Sequence, residues 1–401
     1  MKWTNKGRQF DDIARNVCVK DGVYMIWGAG TFGVSFFKTI KDRIEIIGFI
    51  DRDKEKQRAG VSGLKVYAPE ELATINKLGD QKIRVIVANG WIKECFDYLS
   101  SCGYVRNKDC FVANEFLMVY KLYNEDKIYA ISVNVPINTV CTLNCEKCMA
   151  LIPYARKKEN FDKKKIFSDV DAYFRWVDYV CVLGIGGGDS LLHPDLIEIV
   201  DYIGSKYKGT KLRDIEIYTN AIIMPTKELI SVSKKYDVIF RFSDYSKNLS
   251  GIQKIDEFIE ILDTNGLRYD RAKWETWYDT GFPQKNNGIV GADALEQHYN
   301  RCITNLCSII YNGRMYFCSV CASAVIAGFC PERAMDSFDL DYDDSRRKAF
   351  IEFNAGYCEQ GFLSWCTRCN GYQNINECFV PVAQQIEDLK KRRDEICQYY
   401  S

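Results

Sequence analysis

Net charge is the first thing this chain lacks. Its 54 Lys and Arg are balanced by 54 Asp and Glu, so no overall field gathers nucleic acid or an anionic membrane surface, and neither is expected as a partner. No signal peptide and no long apolar segment is found either, so the chain is expected to stay in a reducing cytoplasm, where disulfides are rare. Internal repeats and low-complexity stretches are missing as well. Histidine is scarce, with two in 401 residues, and His193 is expected to turn or cap the chain rather than to do chemistry. What remains is 47% apolar content in a length that fills two or three cores.

Cysteine, by contrast, is plentiful. Of 18 cysteines, nine fall between Cys302 and Cys378, and in a reducing compartment that density suits metal better than disulfides. The tightest group is Cys141, Cys145 and Cys148, a CxxxCxxC run between Thr139 and Met149. Three thiolates on one loop hold three irons of a [4Fe-4S] cube and leave the fourth without a protein ligand. Structural zinc takes four ligands and a ferredoxin supplies a fourth cysteine per cluster, so the spacing points to a site that receives something else. In this run the sequence resembles the radical S-adenosylmethionine (SAM) enzymes. The resemblance implies that SAM chelates the open iron through its amino and carboxylate groups and is cleaved to a 5′-deoxyadenosyl radical. Lys147 departs from the family pattern, which is often aromatic before the third cysteine.

About forty residues on, Gly186, Gly187, Gly188 and Asp189 follow the apolar run from Tyr179 to Leu183 and precede a helical pattern through Ile197, Val200 and Ile203. Strand, glycine turn and helix make the first βα step of a parallel barrel. The stretch resembles the Gly-Gly-Glu segment of the same family, with Asp189 one methylene shorter, which implies SAM contacts from Gly187, Gly188 and Asp189. Further strands run from Leu212 to Thr219 and from Val238 to Asp244. Polar residues at the carboxyl ends of parallel strands face the ligand crevice, so Asn220, Ser243 and Asp244 are candidate contacts for SAM or substrate; ordinary strand-to-loop polarity explains them equally well.

Cys302 is followed by ten residues, Gly313, four residues and Cys318, with Asn312-Gly313 as a hairpin turn. Cys366 and Cys369 then form a CxxC pair. This layout resembles the SPASM and shorter Twitch regions appended to radical SAM barrels. It implies one auxiliary [4Fe-4S] cluster on Cys302, Cys318, Cys366 and Cys369, with Cys307 as a rival for Cys302. Cys321, Cys330, Cys358 and Cys378 leave a second auxiliary cluster open, and a zinc knuckle is the non-redox alternative.

Ahead of the barrel, the strand from Val23 to Trp27 feeds Gly28, Gly30 and Gly33 in a GxGxxG turn, and a second strand ends at Asp51, where a ribose-binding acid belongs in a dinucleotide fold. These residues are candidates for a nucleotide; a scaffold or docking role is the other reading. The expected fold is α/β throughout. It comprises a Rossmann-like domain at 1–118, a partial (β/α)6-type radical SAM barrel at 128–290, a small cysteine-rich α+β auxiliary-cluster domain at 291–380, and a C-terminal helix at 381–401 that packs on the auxiliary domain.

The resemblance implies oxidation of an alcohol to a carbonyl on a sugar, cyclitol or nucleotide-linked sugar, with electrons from a flavodoxin or ferredoxin-type donor. A general base is required, and Lys273, Glu275 and Asp279 enter from the substrate side without any one being singled out. The basic run from Arg156 to Lys165 reads as a solvated surface or a meeting point for substrate phosphate. A peptide- or protein-modifying radical SAM enzyme and a non-catalytic iron–sulfur electron-transfer protein are the competing classes.

Overall fold

The computed structural model describes residues 10–17, 22–75, 77–78, 81–302, 308–372 and 375–400. They fall into two compact units, one running to Tyr129 and the other starting at Ala130. Among the described residues no helix is long and apolar enough to cross a membrane.

The first unit contains helix α1 (Phe10–Val17), strand β1 (Val23–Trp27), α2 (Thr31–Ile40), β2 (Glu45–Ile50), α3 (Lys54–Ala59), β3 (Val66–Tyr67), the small pair β4 (Lys77–Leu78) and β5 (Gln81–Lys82), β6 (Arg84–Val87), α4 (Ile92–Ser101), β7 (Cys110–Val112) and α5 (Ala113–Glu125). Every residue of β1 is buried, as a central parallel strand covered on both faces requires. The sheet order is β3-β2-β1-β6-β7 with parallel pairing throughout. That is the doubly wound order that reverses at β1, beside the glycine turn.

The second unit alternates strand and helix: β8 (Tyr129–Pro136), α6 (Lys163–Trp176), β9 (Tyr179–Gly186), α7 (Leu196–Tyr207), β10 (Leu212–Thr219), α8 (Lys227–Tyr236), β11 (Ile239–Asp244), α9 (Ile255–Thr264) and β12 (Arg268–Lys273). It continues with β13 (Thr276–Tyr278), α10 (Ala292–Arg301), β14 (Ser308–Tyr311), β15 (Arg314–Tyr316), α11 (Ser319–Ile326), β16 (Phe338–Asp339), α12 (Arg347–Asn354), β17 (Phe379–Pro381) and α13 (Leu389–Tyr400). Strands β9 to β12 lie in sequence order and pair in parallel, the pattern of the expected barrel. Phe240 and Phe242 of β11 turn to the helix layer and meet Phe258 of α9 with ring centroids 5.4 and 4.9 Å apart.

The expected hairpin is present, with Asn312 and Gly313 both at positive φ between β14 and β15. It is built into the barrel sheet, because β14 pairs in parallel with β8, giving the order β12-β11-β10-β9-β8-β14-β15-β16. Asp169 of α6 reinforces the join from behind: its carboxylate accepts from Asn312 N at 2.8 Å and Gly313 N at 2.7 Å. The tail differs from expectation. Residues 382–388 form no helix: Val382 and Ala383 make a turn with Ala383 at positive φ, Gln385 bridges to Cys145, and the helix starts only at Leu389, with Val382 and Ala383 buried against the cysteine loop instead of the auxiliary region.

Replacing Asp169 by Ala removes both hydrogen bonds and leaves two turn amides to find new partners. A loss of about 1–3 kcal/mol is expected, read as a lowered midpoint in thermal unfolding, with Asp169→Asn retaining part of the stability through its remaining acceptor.

Candidate metal centre

The three cysteines follow directly from the carboxyl end of β8, on a loop that has almost no regular structure of its own. Its backbone is satisfied from elsewhere. Asp189 N donates to Val140 O (2.8 Å), Thr139 N to Glu159 O (2.9 Å), Glu146 N to Gln384 O (2.8 Å) and Ile386 N to Asn144 O (2.9 Å). Cys145 and Gln385 form an antiparallel bridge. All three thiols join one apolar cluster with Leu143, Leu249, Tyr245, Trp277, Val382 and Ala383.

Donors are aimed at the sulfurs. Leu143 N lies 3.4 Å and Asn220 Nδ2 3.6 Å from Cys141 Sγ, and Gln385 Nε2 lies 3.3 Å from Cys145 Sγ. Such donors suit thiolates carrying a shared negative charge, as the ligands of an iron–sulfur cluster do. In the metal-free protein burial acts the other way: it pushes the Cys141 thiol up to about 11 and the Cys145 thiol up to about 12, and raises Cys148 too. Among the described residues no three His, Cys, Asp or Glu side chains are gathered for a single metal ion. Thiolates that each bind a different corner iron of a cube need not be. The donor set therefore fits a cluster held by Cys141, Cys145 and Cys148.

The glycine turn after β9 sits against this loop. A Cβ on Gly187 would lie 2.4 Å from Asn138 O, and one on Gly188 1.9 Å from Val140 O. Asn138, fully buried, accepts from Gly188 N through Oδ1 (2.9 Å) and donates through Nδ2 to Asp189 O (2.9 Å). Asp189 is itself buried, and its carboxylate accepts from Leu191 N (3.0 Å), Asn220 N (3.1 Å) and the Thr219 hydroxyl (3.1 and 3.2 Å). Burial raises its pKa, and these donors oppose the rise. The carboxylate thus joins the glycine turn to the end of β10. Asn220 adds a bond to Thr142 Oγ1 at 3.0 Å. Asp244, fully buried, accepts from Ser246 N and Arg271 Nε, each at 2.8 Å; burial alone would raise its pKa, but these partners hold it below the usual carboxylate range. The backbone carbonyl of the half-buried Ser243 accepts from Gln253 Nε2 at 2.8 Å.

The second cysteine group also assembles. Cys302 ends α10, Cys318 caps α11, and both lie near enough to Cys366 and Cys369 to raise the pKa of those two thiols, after the larger effect of burial; Cys369 reaches about 12. Asn287 Nδ2 holds the CxxC turn at the carbonyls of Cys366 and Cys369, 2.7 Å each, while His298 Nε2 meets Cys369 O at 3.0 Å and Gly371 N points at Cys369 Sγ at 3.3 Å. Cys302 and Cys318 thus lie within electrostatic reach of the CxxC pair. Buried Cys321 shares a hydrogen bond with Cys330, Cys358 is buried beside Tyr299, and Cys378 is exposed. Cys307 lies outside the described residues.

Lys147 connects the two cysteine groups. Its Nζ lies 3.0 Å from both oxygens of Asp279 and 3.1 Å from Phe282 O. Asp279 O in turn accepts from Asn370 and Asn376. Asp279 is therefore an ion-pair partner, while Lys273 and Glu275 are exposed. The basic run is largely engaged within the protein: Lys158 Nζ donates to Ile152 O, Lys157 pairs with Glu159, and Lys163 with Asp195 and Glu198. His193 caps as expected, with Nδ1 accepting from Asp195 N (3.0 Å) and Nε2 on Phe161 O (2.9 Å). Asn138, Asn287 and Gln385 were invisible to spacing arguments. Arg392 and Arg393 of α13 reach Glu146, Pro153 O and Ala155 O, each at 2.9 Å, which places the tail helix on the cysteine loop.

In the first unit, a Cβ on Gly28 would lie 2.5 Å from Ala88 O and one on Gly33 1.8 Å from Gly28 O, whereas Gly30 faces open space. Asp51 is engaged: Oδ2 accepts from Ala29 N at 2.7 Å and Oδ1 from Asp53 N at 3.0 Å.

No family model and no curated protein matches this chain. Among solved structures it is similar to BtrN in complex with AdoMet and 2-DOIA, at 12% identity over 65% of this chain and 96% of that one, with a TM-score of 0.38. It is similar to anSMEcpe with bound AdoMet at 11% identity over 67% and 96%, TM-score 0.42. Streptococcus suis SuiB bound to precursor peptide SuiA matches at 15% identity over 80% of each chain, TM-score 0.35. These structures are radical SAM enzymes, SPASM/Twitch-type members among them, and the likeness is one of fold.

Thiols near 11 and 12 stay protonated at neutral pH, and only the thiolate is alkylated. In metal-free protein, iodoacetamide is therefore expected to label Cys141 and Cys145 far more slowly than exposed Cys378, with labelling that steepens as pH rises from 7 to 10; peptide mass spectrometry reads this. Gly188→Ala pushes Val140 off the glycine turn and is expected to lower bound iron after reconstitution by about four atoms per chain, counted colorimetrically.

Proposed function

We propose that this chain is a radical SAM enzyme that oxidises an alcohol of a carbohydrate-like substrate, with one auxiliary cluster. The observation that carries the reading is the pairing of two separate cysteine groups, three thiols on a loop and four in the adjoining region, joined through Lys147 and Asp279. When bound, a [4Fe-4S] cluster with SAM at its open iron supplies reductive SAM cleavage and hydrogen-atom abstraction from the substrate.

Cys141, Cys145 and Cys148 would hold the first cluster and Cys302, Cys318, Cys366 and Cys369 the second. Gln385 and Asn220 orient the thiolates through hydrogen bonds, and the tail segment with its buried Val382 and Ala383 excludes water from the loop. Gly187, Gly188, Asn220 and Ser243 stand at the strand ends where SAM would lie, whereas Asp244, on the face of β11 shared with Phe240 and Phe242, is taken up by Ser246 N and Arg271 and braces the strand end. With its carboxylate fully engaged, Asp189 shapes that site by holding the glycine turn to β10. A flavodoxin or ferredoxin-type donor would supply electrons. For the first unit, the open approach to Gly30 supports a nucleotide held on Gly28, Gly30 and Gly33, with Asp51 shared between the turn and a ribose.

The test is anaerobic reconstitution followed by dithionite reduction with SAM. About eight irons per chain and 5′-deoxyadenosine from wild type, with none from the Cys141, Cys145, Cys148 triple alanine variant, is the expected result. A fully loaded, reduced protein that leaves SAM intact would sink the reading.

A further inference from the structure

On the reading that this chain is a radical SAM enzyme, we propose that its substrate site is a belt formed by Asn134, Glu216, Tyr218, Arg241 and Asp270, built to hold a neutral or amine-bearing polyhydroxylated ring. Side chains alternate along a strand, so with Phe240 and Phe242 turned to α9, Arg241 points to the opposite face of the sheet. The partners of Arg241 follow it there. Its guanidinium lies 3.5 Å from Glu216 on β10 and 3.5 Å from Asp270 on β12, and Tyr218 donates to Glu216 Oε2 at 3.0 Å.

The Tyr218 ring lies over two glycines. A Cβ on Gly184 would stand 2.4 Å from Tyr218 Cε2 and 2.0 Å from Asn134 Oδ1, and one on Gly186 3.4 Å from Tyr218 Cδ2. Absence of side chains on β9 thus makes room for an aromatic plate, with Asn134 of β8 on one side and Glu216 and Arg241 on the other. Both ion pairs are longer than the roughly 2.7–2.9 Å of a closed charge-assisted bond, and the Arg241 and Asp270 side chains are 39% and 54% exposed. The Arg241 guanidinium and the Asp270 carboxylate are therefore within reach of an incoming ligand, with the buried Glu216 carboxylate behind Arg241.

The position suits the proposed reaction. At about 3.3 Å per residue along β10, Tyr218 lies about 7 Å and Glu216 about 13 Å below Asn220, the residue that contacts Cys141. That leaves a layer for a cofactor between the cysteine loop and the belt. The chemistry narrows the ligand. The C–H face of a polyol ring packs on an aromatic plate, and its hydroxyls bridge carboxylate, amide and guanidinium. One guanidinium among two carboxylates leaves the belt net negative, which disfavours phosphate and carboxylate and tolerates an amine. The sugar of a nucleotide-linked substrate would bring its phosphates against this charge.

Saturation-transfer difference NMR on the reconstituted protein with SAM tests the site, using glucose, galactose, glucosamine, myo-inositol and UDP-glucose as probes. Ring protons of at least one neutral or amino polyol are expected to be saturated. Its Kd should weaken about tenfold or more in Tyr218→Ala and Arg241→Met, less in Tyr218→Phe, which keeps the plate, and not at all in Tyr269→Ala on the opposite face. Thermal unfolding checks that each variant is folded, and Glu216→Gln provides a milder second probe of the belt. No binding by any neutral or amino polyol, binding indifferent to these substitutions, or tighter binding of UDP-glucose through the same residues would overturn the proposal. SAM cleavage separates this from the reaction class: protein that cleaves SAM but binds no polyol loses only the substrate site, and protein that binds a polyol at the belt but cleaves no SAM loses only the reaction.

Discussion

A loop that buries three thiols without forming helix or strand has to find partners for its own amides and carbonyls, and that requirement organises the second unit. Each unsatisfied buried backbone group costs on the order of 1–3 kcal/mol. The partners come from Glu159, the glycine turn after β9, and Gln384 to Ile386 near the end of the chain. Strand ends, turn and tail must therefore be in place together before the cysteines have defined positions. Gln385 illustrates the economy of the arrangement: Oε1 accepts from Asn144 N at 2.8 Å while Nε2 faces Cys145 Sγ.

The same logic joins the two cysteine groups. The hairpin that leads into Cys318 is an extension of the barrel sheet through β8 and β14, pinned by Asp169. On the other side Lys147, Asp279 and Asn370 run from within the first cysteine motif to the residue after Cys369. An aromatic side chain at 147 could not make this ion pair. The departure from the family pattern is matched by a carboxylate placed to receive it, and the carboxylate is thereby withdrawn from the pool of candidate bases.

Much of this was legible from local pattern. The strand β1 with its glycine turn, the strand–glycine–helix step at Gly186 to Gly188, and the Asn312-Gly313 hairpin each follow from a few neighbouring residues whose conformational preferences agree. The tail departs from a helix before Leu389 because, although Val382, Ala383 and Ile386 are compatible with a helix stripe, Gln384 O and Ile386 N pair with Glu146 N and Asn144 O of the cysteine loop, and a turn at Val382 and Ala383 precedes them. The roles of Asp189 and Asp244 were also closed to sequence reading. A carboxylate at a strand end reads as a ligand contact, and only the folded chain reveals that Leu191, Thr219 and Asn220 in one case, and Ser246 and Arg271 in the other, occupy it.

By itself, the sequence determined where the cysteines gather and that strand, glycine turn and helix alternate, because cysteine spacing and hydrophobic period are properties of adjacent residues. Tertiary structure alone decided what surrounds those sulfurs, which carboxylates are engaged, and that Tyr218 lies across Gly184 toward Asn134. Those outcomes depend on atoms brought together from distant parts of the chain, such as Gln385 against Cys145, 240 positions apart, and no short-range pattern encodes a contact that exists only once the sheet has closed around it.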